Sequence, residues 1–479
     1  MSRTSPEHVH LLGIGGTGMS ALAGLLSESG CRVTGSDRPL YPPTSTLLAG
    51  LGVEVRSGYD PAHLDPAPDL VVVGNAISRG NPEIEEVLDR RMPYCSMPQV
   101  IAERFLAQRH PLVVAGTHGK TTTTSMLAHI LFSAGRDPGF LIGGSPLDLP
   151  ANYRVGSGAE FVIEGDEYDT AFFDKGPKFM HYRPGTVLLG AVEYDHADIY
   201  ADLEAVRTAF RRLVNLVPRR GLLVVNEDDP IARELSRAAP SRVEGYGLEH
   251  GVWRAEAIDE TERGARFDLR RGDAPVMPIQ LAVSGGHNVL NALGAAAAAA
   301  DRGVTPAEIR RALETFRGVR RRLERKGEIG GVVVLDDFAH HPTAIRATLA
   351  AVRARYPGRR VWAVVEPRSW SMRKNVFQTE LAESLRGADR VLIARVFGEA
   401  AIEEADRLDP HRLVSELVRG GGMADYVEAV EEILRTLSAE ARAGDVITIM
   451  SNGGFDGLPE RLVTALEARA GRQFRVGMS

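Results

Sequence analysis

Short apolar runs, each ending in glycine or a small polar residue, punctuate this chain, and segments with helical spacing lie between them. In the first hundred residues V-H-L-L-G-I, C-R-V-T-G-S and L-V-V-V-G-N read as strands, and residues 19–29 carry apolar positions at helical intervals. Strands alternating with helices predict a parallel sheet with crossover connections. The rhythm closes near Gln108, where Arg109-His110-Pro111 reads as a boundary. A second unit begins with a strand at 111–115 and continues through apolar runs at 160–163, 186–189 and 222–225, each suited to a buried strand. The polar, alternating stretch 242–272 predicts a small antiparallel excursion, and 289–300 an alanine-rich helix. From about Arg320 a third unit is expected, with strands at 331–335, 360–365, 390–394 and 445–450. Its helix, 342–355, opens on a proline, which suits a first helical position. The fold expected is α/β, with three sequential domains at residues 1–108, 109–319 and 320–479. No internal repeat at a short period is visible.

Composition changes this picture little. At 479 residues the chain is too long for a single ordinary core, which agrees with several domains. The formal charge of -6 argues against a nucleic-acid partner, which usually leaves a basic signature. The two cysteines, Cys31 and Cys95, have neither metal-ligand spacing nor the numbers of a disulfide framework. The N-terminal M-S-R-T-S-P-E-H-V-H lacks the apolar core of a secretory signal. No run approaches the roughly 20 apolar residues that span a bilayer, so a soluble, cytoplasmic protein without a membrane partner is expected.

The candidate chemistry sits where strands end. Gly13-Ile14-Gly15-Gly16-Thr17-Gly18 follows one strand and opens a helix, and Asp37 ends the next strand. Alone, this pattern indicates a nicotinamide dinucleotide. Free N–H groups and the helix dipole at such a turn hold any diphosphate, however, so the motif does not choose among them. Gly116-Thr117-His118-Gly119-Lys120-Thr121 has two residues between its glycines where the common phosphate loop has four. The physics survives the shortening: backbone N–H groups cradle phosphate, Lys120 reaches terminal oxygens, and Thr121 offers a hydroxyl to Mg²⁺.

Glu164-Gly165-Asp166-Glu167-Tyr168-Asp169 follows a buried strand, a place that suits a divalent metal bridging nucleotide oxygens. Glu193-Tyr194-Asp195-His196-Ala197-Asp198 also follows a strand, and its histidine is a candidate second metal ligand. Asn288 and Asn291 share one helix face and suit an adenine edge, although Asn288 equally suits helix capping. The run Arg320-Arg321-Arg322 offers charge to a transferring phosphoryl group, or is a solvated basic face. Asp336-Asp337-Phe338-Ala339-His340-His341-Pro342 gathers titratable groups at a strand end. Glu366-Pro367-Arg368-Ser369 and Ser451-Asn452-Gly453-Gly454 suit the carboxylates of an acceptor, or are turn residues chosen for geometry.

Taken in order, G-T-H-G-K-T, E-x-D-E, D-H, H-N-x-x-N, R-R and D-D-x-x-H-H-P-T resemble the Mur ligases, which build the peptide stem of the bacterial cell wall. The resemblance covers nearly the whole chain. G-I-G-G-T-G-M and H-H-P-T are similar to the muramate–alanine ligase branch. Y-P-P-T-S-T-L-L, G-N-A-I-S-R-G-N-P, E-Y-D-T-A-F-F-D-K, D-D-F-A-H-H-P-T-A-I, E-P-R-S and M-S-N-G-G-F are more similar to the recycling branch. That branch joins UDP-N-acetylmuramate to the tripeptide L-alanyl-γ-D-glutamyl-meso-diaminopimelate.

The resemblance implies a Rossmann-like UDP-binding domain, a central P-loop ATPase-like domain and a Rossmann-like C-terminal domain. It implies that Gly15, Gly16, Thr17, Gly18, Asp37 and Asn75 hold the UDP-sugar, and that Arg368 and Asn452 meet a substrate. Gly116, Thr117, His118, Gly119, Lys120, Thr121 and Thr122 would hold ATP, with Asn288 and Asn291 at adenine, Asp337 at ribose and Arg322 at the γ-phosphate. Thr121, Glu164 and His196 would take Mg²⁺, and Lys120, His196, Arg322 and His341 would take part in the chemistry. Some sister ligases use a carbamylated lysine in the middle domain, but no lysine occurs between Lys178 and Lys326.

The reaction implied is ATP-dependent amide formation through an acyl phosphate, with either the tripeptide or L-alanine as amine acceptor. The incoming amine must lose a proton, and His340, His341 and His196 are the candidate bases by residue type. A nicotinamide dehydrogenase would leave the second glycine loop unused, and a nucleotide sensor would bind ATP without turnover.

Overall fold

A computed structural model describes residues 6–41 and 44–476, and for 274–276 and 472–476 the backbone alone. Met1–Ser5 of the expected non-secretory N-terminus and the two prolines of Y-P-P-T-S-T-L-L lie outside the described residues.

Three separate sheets carry the main architecture. The first has five parallel strands, in the spatial order Glu54–Ser57, Arg32–Asp37, His8–Leu12, Leu70–Val73, Tyr94–Ser96. The chain order therefore reverses beside His8–Leu12, and a crevice opens at such a reversal, beyond the carboxyl ends of the strands. The glycine-rich turn that follows His8–Leu12 stands there, leading into the helix Thr17–Glu28.

The second sheet has ten strands. His110–Ala115 lies at its centre, parallel to Thr186–Leu189 on one side and Glu160–Gly165 on the other. All three are buried and mainly apolar, as a parallel sheet covered on both faces requires, although Glu160–Gly165 also buries Glu160 and Glu164. The antiparallel excursion expected over 242–272 lies instead at 253–281, as the meander Trp253–Thr261, Gly264–Arg271, Ala274–Leu281 added to one edge of this sheet, while Arg242–Gly247 is a parallel strand beside Leu222–Asn226. The alanine-rich helix Gly286–Asp301 packs against the helix Lys120–Ser133 with small side chains, which let two buried helices approach closely.

The third sheet has six strands. Val332–Asp337, Asp445–Met450, Arg360–Val365, Arg390–Ala394 and Met423–Val427 are parallel, and Glu324–Ile329 is an antiparallel edge. Fully buried Trp362 donates its indole N–H to Asp445, whose carboxylate also takes a bidentate pair from Arg360.

The first and second units meet along the helix Thr17–Glu28. Its Glu28 accepts the Val155 N–H at 2.9 Å, and Gly24 lies flat against the buried ring of Tyr153. A Cβ on Gly24 would stand 2.1 Å from that ring. Gly24→Ala is therefore expected to cost about 1–3 kcal/mol by overpacking, read as a lowered thermal midpoint. Adding Tyr153→Leu to Gly24→Ala should recover part of the loss, and no recovery would contradict this packing.

Candidate active site

The short glycine loop joins His110–Ala115 to the helix Lys120–Ser133. Gly116 and Gly119 adopt φ of 130° and 78°, values that side chains disfavour. The Thr117 N–H donates to Ala191 O, and its hydroxyl is tied to the backbone of Glu193. Lys120 Nζ donates to Gly116 O at 2.8 Å and to both oxygens of Glu167 at 2.8 and 3.0 Å.

At and just beyond the end of the strand Glu160–Gly165, Glu164, Asp166 and Glu167 bring three carboxylates together, and two of them have cations. Glu167 pairs with Lys120 and, at 3.3 Å, with His196 Nε2; Asp166 pairs with Lys178 Nζ at 3.1 Å. Burial opposes the charge on Lys120, but Glu167 and Asp166 outweigh it and hold the ammonium charged. Glu164 is 8% exposed and lacks an ion-pair partner among the described residues. Its carboxylate accepts from the Thr121 hydroxyl at 3.0 Å and from the Gly143 N–H. Burial and the neighbouring Asp166 raise its pKa. The Thr121 hydroxyl and this buried carboxylate, which has no ion-pair partner among the described residues, are adjacent hard oxygen donors that fit a divalent cation such as Mg²⁺.

His196, beyond the next strand, has φ of 54°, a conformation costly for a residue with a side chain. Two further residues of this kind, Arg321 at 59° and Leu323 at 51°, flank Arg322. The triplet divides its work. Arg320 is exposed beside Glu324, and Arg321 bonds the carbonyls of Ser451 and Gly453 at 2.6 Å. Arg322 lies over the Phe338 ring, its guanidinium carbon 4.8 Å from the centroid, and reaches two cavities.

The larger of these, about 470 Å³, is lined from all three sheets. Gly16, Thr17, Gly18 and Asn75 come from the first; Thr117, Lys120, Thr121, Glu164 and His196 from the second; Arg322, His340 and Asn452 from the third. The smaller, about 220 Å³, is lined by His118, Gly119, Thr122, Asn291, Arg322 and Asp337. A further cavity of about 320 Å³ shares Asp195, His196, His340 and Asn452 and adds Arg368 and Arg373.

Several expected residues are placed differently. Asp37 spends its carboxylate on the Gly15 and Arg38 N–H groups and the Tyr59 hydroxyl, so it braces the turn rather than lining a cavity. Asn288 neither caps its helix, which starts after Gly285, nor lines the smaller cavity. Its amide donates to Ser284 O, and its oxygen accepts from Asn291, which orients Asn291. His341, expected to take part in the chemistry, is placed as a cap. It is 4% exposed and caps the helix Pro342–Arg355 by accepting the Thr343 N–H at Nδ1, while its other nitrogen bonds Tyr194 O. Both nitrogens are engaged, whereas His340 faces two of the cavities.

Glu193 and Asp195, which flank Tyr194 in the motif that carries His196, are ties between the second and third units. Glu193 accepts from His118 at 3.1 Å and from the Thr343 hydroxyl at 2.7 Å, and Asp195 accepts from the Ser371 hydroxyl at 2.6 Å. Burial works against the Glu193 carboxylate, yet His118 and Thr343 hold its pKa down to about 2. Ligand atoms of His118, Glu193 and His341 come within 4.8 Å of one another, but these hydrogen bonds already use them.

Descriptions of one family match the chain in order: the "Mur ligase family, catalytic domain" over residues 8–109, the "Mur ligase middle domain" over 114–299 and the "Mur ligase, glutamate ligase domain" over 321–453. A UDP-N-acetylmuramate–L-alanyl-γ-D-glutamyl-meso-2,6-diaminoheptandioate ligase from Escherichia coli is 42% identical over 96% of this chain and 99% of its own. The chain belongs to the Mur ligase family. A ligase of the same name from Haemophilus influenzae is 39% identical over 97% of this Mur ligase and the whole of its own chain. Among solved structures, a murein peptide ligase from Psychrobacter arcticus is 40% identical with a TM-score of 0.74, covering 96% of this chain and 99% of the other. A UDP-N-acetylmuramate–alanine ligase from Thermotoga maritima is 25% identical with a TM-score of 0.81 over the same shares.

The Thr343–Glu193 bond links the glycine loop of this Mur ligase to its third sheet through His118. Thr343→Val keeps the side-chain shape and removes that bond, worth about 1 kcal/mol. The value of kcat/KM for ATP is expected to fall about fivefold with the thermal midpoint little changed; an unchanged kcat/KM would contradict the linkage.

Proposed function

We propose that this Mur ligase joins the tripeptide L-alanyl-γ-D-glutamyl-meso-diaminopimelate to the carboxylate of UDP-N-acetylmuramate, with ATP converted to ADP and phosphate, in cell-wall peptide recycling. The observation that carries the reading is the cavity lined at once by the Gly16–Gly18 turn, the Lys120 loop and Arg322 with His340. A reaction among a UDP-sugar, ATP and an amine needs three sites opening into one space, and this cavity supplies it. The tripeptide is favoured over L-alanine because the relatives at 42% and 39% identity carry tripeptide-ligase names. The higher TM-score of the alanine ligase supports the second reading, L-alanine as acceptor.

The domain divisions proposed are residues 1–108, 109–319 and 320–479, between the successive sheets. Gly16, Thr17, Gly18 and Asn75 would receive the UDP-sugar, with Asp37 fixing the turn through Gly15. The loop Gly116–Thr122 would hold the ATP phosphates, and Asn291 and Asp337 would line the nucleoside end. Thr121 and Glu164 would hold Mg²⁺, with His196 as the further ligand. Bound there, the cation would spread the charge of the phosphoryl oxygens. We place the reaction in the cytoplasm, where ATP is available; among the described residues no helix is long and apolar enough to cross a membrane.

In the proposed sequence the muramate carboxylate oxygen attacks the γ-phosphorus and ADP leaves, giving an acyl phosphate. The amine nitrogen then attacks the acyl carbon, and phosphate leaves with its electron pair and the bridging oxygen. Lys120 and Arg322, which line the same cavity, stabilise the phosphoryl charge. His340 Nδ1 lies 2.8 Å from Phe338 O, and a carbonyl only accepts, so Nδ1 carries the proton and Nε2 is left as a base. Burial lowers the pKa of His340, which keeps the ring neutral and able to take the amine proton.

The test supplies UDP-N-acetylmuramate and ATP with either the tripeptide or L-alanine and measures ADP. Tripeptide-dependent release is expected, and His340→Gln should lower kcat on the order of 10²-fold or more. Turnover of L-alanine without turnover of the tripeptide would overturn the assignment.

A further inference from the structure

Beside the central cavity, the neighbouring one of about 320 Å³ holds a guanidinium that no carboxylate among the described residues contacts, although Asp198 acts on it from across the cavity. Arg373 ends the short helix Trp370–Arg373 and is 7% exposed, the one arginine that the fold buries among the described residues. Its guanidinium carbon sits 4.0 Å from the centroid of the Trp370 ring. One terminal nitrogen donates to the carbonyls of Phe397 and Gly398 at 3.3 and 3.5 Å. Its Nε has no hydrogen-bond partner, and no carboxylate among the described residues comes within ion-pair distance. Other arginine Nε atoms also lack partners, but Arg207, Arg270, Arg302 and Arg390 each pair with a carboxylate, and Arg254 and Arg355 are only half-buried as residues.

A cation kept out of water without a counter-ion costs stability, and it persists where a ligand supplies the missing charge. The cavity also has Asp195, Asp198, His196 and His340 along its walls, so one substrate lying in it meets acidic groups and the base as well as Arg373. Arg368 is a weaker candidate for an anion because Glu366 already pairs with it at 3.3 Å. Trp370 and Phe397, both more than a third exposed, give that cavity apolar walls on which methylene groups can lie.

We propose that Arg373 is a specificity-determining residue that takes the α-carboxylate of the acceptor's second residue, by a bidentate guanidinium–carboxylate pair. This rests on the tripeptide reading above. With the amine at His340 and the alanyl carboxyl consumed in a peptide bond, the α-carboxylate of the γ-linked D-glutamyl residue is the first free anion along the acceptor. A guanidinium whose plane is fixed by a stacked indole matches such a group better than an ammonium does. Free L-alanine carries its carboxylate one residue closer to the amine, out of register with this contact.

Calorimetry with the full chain, UDP-N-acetylmuramate and a non-hydrolysable ATP analogue tests the contact. The titrants are the tripeptide and its analogue with the D-glutamyl α-carboxylate replaced by a carboxamide. The unaltered protein should bind the carboxylate form at least tenfold more tightly. Arg373→Gln should bind both forms as weakly as the unaltered protein binds the amide, with Arg373→Lys restoring part of the preference. UDP-N-acetylmuramate affinity should be unchanged in both variants, which reports an intact fold. Equal weakening of both titrants by Arg373→Gln, or an undiminished preference, would overturn the proposal. Arg373-dependent preference without ATP turnover would remove the proposed function and leave this site standing; turnover without preference would do the reverse.

Discussion

Crowding three carboxylates around the end of one strand is the constraint around which this molecule is arranged. Glu164 is the last side chain of Glu160–Gly165 and is buried, and just beyond the strand Asp166 is half-buried and Glu167 buried. Charges so placed survive only when answered. Lys120 and His196 answer Glu167, and Lys178 answers Asp166, so the first turn of the helix after the glycine loop and the strained bend at His196 are both fixed by one carboxylate. Glu164 remains, held by a hydroxyl and an amide and without an ion-pair partner among the described residues, and a metal ion bound there would complete the balance. The phosphate loop, the cation position and the lysine therefore form one electrostatic unit.

A second consequence follows from where the strands end. The central parallel strands of each sheet deliver their carboxyl ends to a common space, so residues far apart in the chain line one cavity. Closure is held by a few polar ties of the third unit to the second, Thr343 to Glu193, His341 to Tyr194 O and Ser371 to Asp195. These ties touch the loops that carry His118 and His196. In the proposed reaction these ties would couple nucleotide binding to the docking of the third unit, and a closed cavity would protect an acyl phosphate from water.

Much of the fold was legible because buried parallel strands need continuous apolar runs. Thr186–Leu189, Arg360–Val365, Arg390–Ala394 and Asp445–Met450 stand where their runs placed them. Edge strands did not announce themselves: Glu54–Ser57 alternates charge with a single valine, and Met423–Val427 is half polar, because each has only one neighbouring strand. Motifs at strand ends marked the neighbourhood of the cavities, but a sequence does not say which way adjacent side chains point. His340 and His341 are neighbours of one type, and only the helix that begins at Pro342 decides that one caps it and the other faces the cavities. Arg373 was invisible for the same reason, since what distinguishes it is the missing counter-ion rather than its residue type.

The central claim is that the muramate carboxylate becomes an acyl phosphate in this cavity. Transfer of an oxygen isotope tests it most directly. With ¹⁸O in the carboxylate of UDP-N-acetylmuramate, the account expects one labelled oxygen in each phosphate released, because the bridging oxygen leaves with phosphorus. Phosphate released without label, while the amide product forms, would contradict it.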